Sequence, residues 1–198
     1  MVDHRRIVLT GGPGGGKTTL MHELRARDPE AKRWVIVPEA APLVFRAGLD
    51  ARDPNFQATV LAYQLELEAT GAAQAGPGQV LVCHRGTLDP LAYWLRNGWN
   101  EQDFFALTKT TRAEHFQRYC GVLHLQTTAI DAEAHYRRWP AAHRPETVTE
   151  AADLDQCCHQ AWYRHPNYVL LTNQGRDWPT KSETARRALS QWATGPSS

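Results

Sequence analysis

The chain has 198 residues, a length that suits one α/β domain and can bury enough apolar surface to need neither disulfides nor a structural metal. Its 22 basic and 21 acidic residues leave a formal net charge of +1, which excludes a polycationic nucleic-acid binder. The longest apolar runs fall far short of a membrane span.

The first residues, MVDHRRIVLTGG, are charged and lack an apolar leader core, so no secretory signal is expected. Residues 7–10 read as a first strand. GGPGGGKT follows, with Gly11, four residues, then Gly16, Lys17 and Thr18. This spacing is that of a phosphate-binding loop. Glycines let successive backbone N–H groups converge on an anion and let phosphate approach without a Cβ clash. Gly11, Gly12, Pro13, Gly14, Gly15, Gly16, Lys17, Thr18 and Thr19 are therefore the candidate nucleotide cradle. Lys17 offers a point charge to the outer phosphates, and the Thr18 hydroxyl offers a ligand to Mg2+. A helix over residues 17–27 would aim its positive end at the same anion. The same glycines fit a dinucleotide-binding turn poorly, because Lys and Thr follow and no acid is well placed for a ribose.

Residues 34–37 read as a second strand, ending just before Glu39. A carboxylate at that sheet edge can receive the proton of an acceptor hydroxyl or hold Mg2+ through water. A helix over 53–69 has Asp53 as N-cap and Pro54 at its first position. It carries Phe56, Gln57, Tyr63 and Gln64, which with Tyr93 and Trp94 are candidates for gripping a flat or hydroxylated acceptor. The stretch 70–78 reads as a surface loop. A third strand over 80–83 runs into His84 and Arg85. Arg85 is a candidate for binding the transferred phosphate or the acceptor, and Asp89 reads as a first-turn acid of a helix over 88–96.

One long helix is expected over 101–119, then a fourth strand over 122–126. Residues 129–156 are charged and broken by Pro140 and Pro145. They read as a lid, with Arg144 first and Arg138 second, beside Arg137, as candidates for stabilising charge on the moving phosphate. A helix over 150–163 precedes a fifth strand over 168–172, whose end places Asn173 near the nucleotide base. A last helix starts at Thr180 with Glu183 three residues on, and residues 193–198 read as a frayed tail. The strands are continuously apolar and alternate with helices, which predicts an α/β three-layer fold around a parallel sheet in a single domain. Cys83, Cys120, Cys157 and Cys158 lack the spacing of a disulfide framework and read as reduced thiols of a cytoplasmic protein.

LTGGPGGGKTTL, VIVPEAAP, FQATVLAYQLELEA, VLVCHRGTLDPLAYW and HPNYVLLTN together resemble the AAA-type P-loop ATPase and kinase family that includes the nicotinamide-riboside kinase domain. PEAAP is more distantly similar to the strand-2 end of deoxynucleoside kinases, where a Glu acts on a substrate hydroxyl. The resemblance implies a five-stranded parallel sheet of order 2-3-1-4-5 with a helical lid. It also implies ATP and Mg2+ as cofactors, and kinase action on a hydroxyl of a small polar or nucleoside-like molecule. No guanine-reading motif is present, in keeping with ATP. The family usually has Asp where this chain has His84, so weakened metal binding or altered chemistry is expected, rather than loss of the nucleotide site. A nucleotide-dependent switch or an NTPase remains the alternative. No nucleic-acid partner and no membrane span are expected, and a homodimer stays open.

Overall fold

The computed structural model describes residues 4–26, 31–138 and 146–194. Strands β1 (Arg6–Thr10), β2 (Trp34–Val37), β3 (Val80–His84), β4 (Gly121–Leu125) and β5 (Tyr168–Leu171) form one parallel sheet in the order β2-β3-β1-β4-β5. The expected sheet order is the observed one.

The strands are apolar on both faces because both faces are covered. Ile7, Leu9, Val82, Leu123 and Leu125 pack toward helices α1 (Lys17–Ala26) and α9 (Trp178–Thr194), with Leu20, Leu24 and Leu189. The intervening Val8, Leu81, Cys83 and Val122 point the other way. There they meet α3 (Pro54–Gln74), α4 (Asp89–Arg96) and α8 (Val148–Trp162) through Leu61, Leu91, Leu154 and Trp162. Period-2 alternation between two dry layers makes each strand read as an unbroken hydrophobic run.

Several boundaries differ from the sequence reading. A short helix α2 (Ala41–Arg46), begun by Pro42, follows strand β2 where only a loop was expected. The single helix over 101–119 is two, α5 (Glu101–Thr108) and α6 (Arg112–Gln117). Lys109 takes a left-handed conformation at φ 55°, and Thr111 with Glu114 forms a capping box that starts α6. The last helix begins at Trp178 rather than Thr180. Asp177 caps it by accepting from the Thr180 N–H at 2.9 Å, while Glu183 pairs with Arg186 and Arg187 instead. It runs through Thr194 with Ala193 buried, so the first two residues of the expected frayed tail end a packed helix, and 195–198 lie outside the described residues.

The expected lid divides in two. Helix α7 (Glu133–Arg138) lies beyond the end of β4. Helix α8 starts earlier than expected, capped by a Thr147–Glu150 box, and Ala151, Leu154 and Cys158 are fully buried. That second half is core, held against α4, because its apolar stripe has the helical period.

Candidate active site

The glycine loop joins β1 to α1 and is braced from three sides. Gly12 N–H donates to Asp155 Oδ1 at 2.7 Å, Thr127 Oγ1 donates to the Pro13 carbonyl, and Thr128 Oγ1 donates to the Gly14 carbonyl at 3.2 Å. Gly16 sits at φ +96°, and a Cβ there would lie 2.2 Å from the Trp178 ring. No other residue type fits both the dihedral and the space. Trp178 is fixed in turn by its indole N–H, which donates to Glu23 at 2.7 Å.

Lys17 is buried and its Nζ donates to the Gly11 and Gly12 carbonyls at 2.7 and 2.8 Å. Burial, and then the nearby Arg85 cation, bring its pKa down to about 8. An arriving polyphosphate would reverse that shift, since it supplies the negative charge that the buried ammonium lacks. Thr18 and Thr19 open α1 and are exposed.

Beside the loop stands a cluster built from the ends of β2 and β3. Arg85, buried and at φ 69°, donates from Nε to Glu39 Oε1 at 2.8 Å. Its Nη1 donates to Asp89 Oδ1 at 3.0 Å and to the Gly11 carbonyl at 3.2 Å. Its guanidinium also lies 5.2 Å from the centre of the Tyr93 ring. Asp89 additionally accepts from Thr10 Oγ1 at 2.7 Å, Gly86 N–H at 2.8 Å and Trp162 Nε1 at 3.1 Å. Arg85 is thus a tie between the glycine loop and Glu39, a role the sequence reading assigned to phosphate or acceptor binding. Asp89, read as a first-turn acid, is the hub that holds Arg85.

Burial favours the neutral acid of Glu39, but the charge and hydrogen bond of Arg85, with the charge of Lys17, outweigh it and hold the carboxyl below its ordinary range. Its side chain is 28% exposed, so it is ionised and still reachable. His84, expected at the strand end, closes β3 with Nε2 3.2 Å from Thr18 Oγ1 and Nδ1 3.3 Å from Glu39 Oε2. Burial lowers its pKa to about 4, so the imidazole is neutral near pH 7 and adds no charge to its contact with Glu39.

Glu39 and Arg85 also form the inner wall of a cavity of about 750 Å³. Phe45, Phe56, Gln57, Gln64, Tyr93 and Glu146 line it. Gln57 and Gln64 are 3% and 2% exposed, and Gln64 commits its amide N–H to Glu68 at 3.1 Å. Of the residues expected to grip an acceptor, Phe56, Gln57, Gln64 and Tyr93 all line this cavity. Tyr63 and Trp94 were expected there too, but Tyr63 packs on the α2–α3 cluster with Val44, and Trp94 packs against Trp99 and Phe104.

Asn173 was expected to border the base. Its amide donates to the Thr127 and Ile130 carbonyls at 2.7 and 2.8 Å and its oxygen accepts from Lys181 at 2.7 Å, a latch between the β4 and β5 ends. Arg137 is engaged by Glu133 within α7. Arg144 and the Arg138 side chain lie outside the described residues. Glu146, Asp155 and Trp178 escaped the sequence reading, since nothing local marks them.

Comparison with protein families matches residues 6–181 to the AAA domain family. The chain belongs to the AAA domain family. No curated protein matches it. As an AAA domain of P-loop type it binds nucleotide through the loop that Gly16 and Lys17 close. Among the described residues no helix is long and apolar enough to cross a membrane.

Proposed function

We propose that this AAA domain is an ATP- and Mg2+-dependent phosphotransferase acting on a hydroxyl of a small polar or nucleoside-like molecule. The observation that carries the reading is the cavity itself. A chamber of about 750 Å³ is lined by Glu39 and Arg85, and Arg85 also donates to the Gly11 carbonyl of the glycine loop. Hydrolysis needs room only for water, whereas an acceptor of metabolite size needs a chamber of this scale.

The glycine-loop amides and Lys17 would hold the β- and γ-phosphates, with Lys17 exchanging the Gly11 and Gly12 carbonyls for phosphate oxygens. The exposed Thr18 hydroxyl at the start of α1 suits a divalent cation, with His84 beside it in place of an acid. When bound, that cation offsets the charge between the two outer phosphates. Glu39 would accept the hydrogen bond of the acceptor hydroxyl and set it in line with the γ-phosphorus. A carboxylate of depressed pKa suffices there, because the transition state is loose and asks for orientation before proton removal. Gln57, Gln64 and the rings of Phe56 and Tyr93 would hold the body of the acceptor.

His84 favours the alternative of a nucleotide switch or NTPase, since it removes the charge that usually serves the metal. Measuring ATP consumption alone and with a panel of hydroxylated small molecules separates the readings. Consumption that rises only with particular acceptors supports the kinase. Acceptor-independent consumption identifies an NTPase, and binding without consumption identifies a switch.

A further inference from the structure

His84 does more than mark a missing acid, because both of its ring nitrogens face defined partners. Nδ1 lies 3.3 Å from Glu39 Oε2 and is buried without a well-formed hydrogen bond. Glu39 is itself fixed by Arg85 Nε at 2.8 Å. A carboxylate on that side places the imidazole proton on Nδ1, so that Nε2 carries a lone pair, which here accepts from the Thr18 hydroxyl and would turn to an ion when one binds. Nε2 lies 3.2 Å from Thr18 Oγ1. Neighbouring ligands on an octahedral ion are separated by about 1.4 bond lengths, or about 3 Å for bonds of about 2.1 Å. The observed spacing matches such an edge. A carboxylate that holds the far nitrogen of a metal-binding histidine recurs across metalloproteins, where it fixes the ring and raises its basicity.

We propose that His84 makes the cation site a mixed nitrogen–oxygen site, which admits the Mg2+ of the proposed function but holds a first-row transition ion such as Mn2+ or Co2+ more tightly. Thr18 Oγ1 and His84 Nε2 take adjacent positions on the ion, nucleotide phosphate oxygens and water take the others, and Glu39 orients the imidazole. Among the described residues no cluster of three or more His, Cys, Asp and Glu is positioned to hold an ion alone, so the nucleotide completes the site. Mg2+ prefers an all-oxygen shell, whereas imidazole suits the later divalent ions. The inference rests on the nucleotide-binding part of the proposed function and not on the acceptor.

The test is pulsed electron paramagnetic resonance on the full chain with Mn2+ and the non-hydrolysable β,γ-imido analogue of ATP, using protein with natural and with 15N-labelled histidine. One directly bound histidine nitrogen is expected, its signal changing with the label. Calorimetry with the same analogue is expected to show Mn2+ favoured over Mg2+, with that preference falling about tenfold in His84→Asp. A bound Mn2+ complex with no nitrogen coupling overturns the proposal, as does an unchanged preference in His84→Asp. Failure of any metal–nucleotide complex to form overturns both this inference and the nucleotide reading. Nitrogen coupling without phosphate transfer to any acceptor supports the inference and sinks only the kinase. If His84→Asp does not fold, the spectrum of the unaltered chain decides.

Discussion

Arg85 Nε and Glu39 Oε1 meet at 2.8 Å across 46 positions of sequence, so the end of β3 holds the end of β2 in place. The same guanidinium holds the Gly11 carbonyl, which couples the carboxylate to the first residue of the phosphate loop. The Glu39 pKa follows from this bond. It is held below the ordinary carboxylate value, so the ionised form is present above that depressed pKa and is lost as pH falls through it. Arg85→Gln is expected to raise the Glu39 pKa, because it removes the neighbouring cation that favours the carboxylate, so that ionisation fails at higher pH. Carboxyl 13C chemical shifts of labelled glutamate followed against pH check this.

Glu39→Gln keeps the size of the side chain and removes its charge. ATP binding is expected to change by less than about threefold. Transfer to the acceptor is expected to fall by about 10²–10⁴-fold. Single-turnover rates beside calorimetric affinities separate the two effects, and an unchanged rate removes Glu39 from the reaction.

Lys17→Ala is expected to weaken triphosphate affinity on the order of 10- to 100-fold, the scale of a buried charge-assisted hydrogen bond. The fold should survive, because the Gly11 carbonyl also accepts from Arg85. Calorimetry with the imido analogue, with circular dichroism to confirm folding, measures this.

His84 and His115 carry a shared prediction about acid stability. Burial lowers the pKa of each to about 4 from an ordinary value of 6.5. The unfolded chain therefore takes up two protons that the folded chain refuses. The stability from keeping these rings neutral is complete above pH 6.5 and is lost as pH falls toward 4. The loss is on the order of 3 kcal/mol per ring. Urea unfolding across this range should show the slope, and His115→Gln should make it shallower.

The strands were legible because covering both faces leaves no polar alternation, as Ile7, Val8 and Leu9 illustrate. The glycine loop was legible because its donors are consecutive residues. Glu39 and Arg85 could be placed at the sheet edge from their distance past each strand, but not their bond, which depends on register between β2 and β3. The break at Lys109 was marked by Thr111 and Glu114, a capping signal outweighed by the apolar residues on either side. Asp155 reaches Gly12 of the loop from 143 positions away, and Trp178, which covers Gly16, is held by Glu23 of α1 from 155 positions away; no local pattern announces such approach. The partners of Asn173 were hidden for the same reason, since they come from the turn after β4.

Gly16→Ala tests the packing of the loop against α9. The Cβ would meet the Trp178 ring at 2.2 Å with the backbone at φ +96°. A loss of about 2–4 kcal/mol is expected from overlap and backbone strain together. Adding Trp178→Ala should relieve the overlap but not the strain, so thermal unfolding of the double variant should recover only part of the loss.

The proposed chemistry is tested most directly by the fate of the γ-phosphoryl group. With γ-labelled ATP, a divalent cation and hydroxylated small molecules, the label should leave ATP as an organic phosphate ester, and Glu39→Gln should suppress that product. Label recovered only as inorganic phosphate, or left on ATP with every acceptor, would contradict the account.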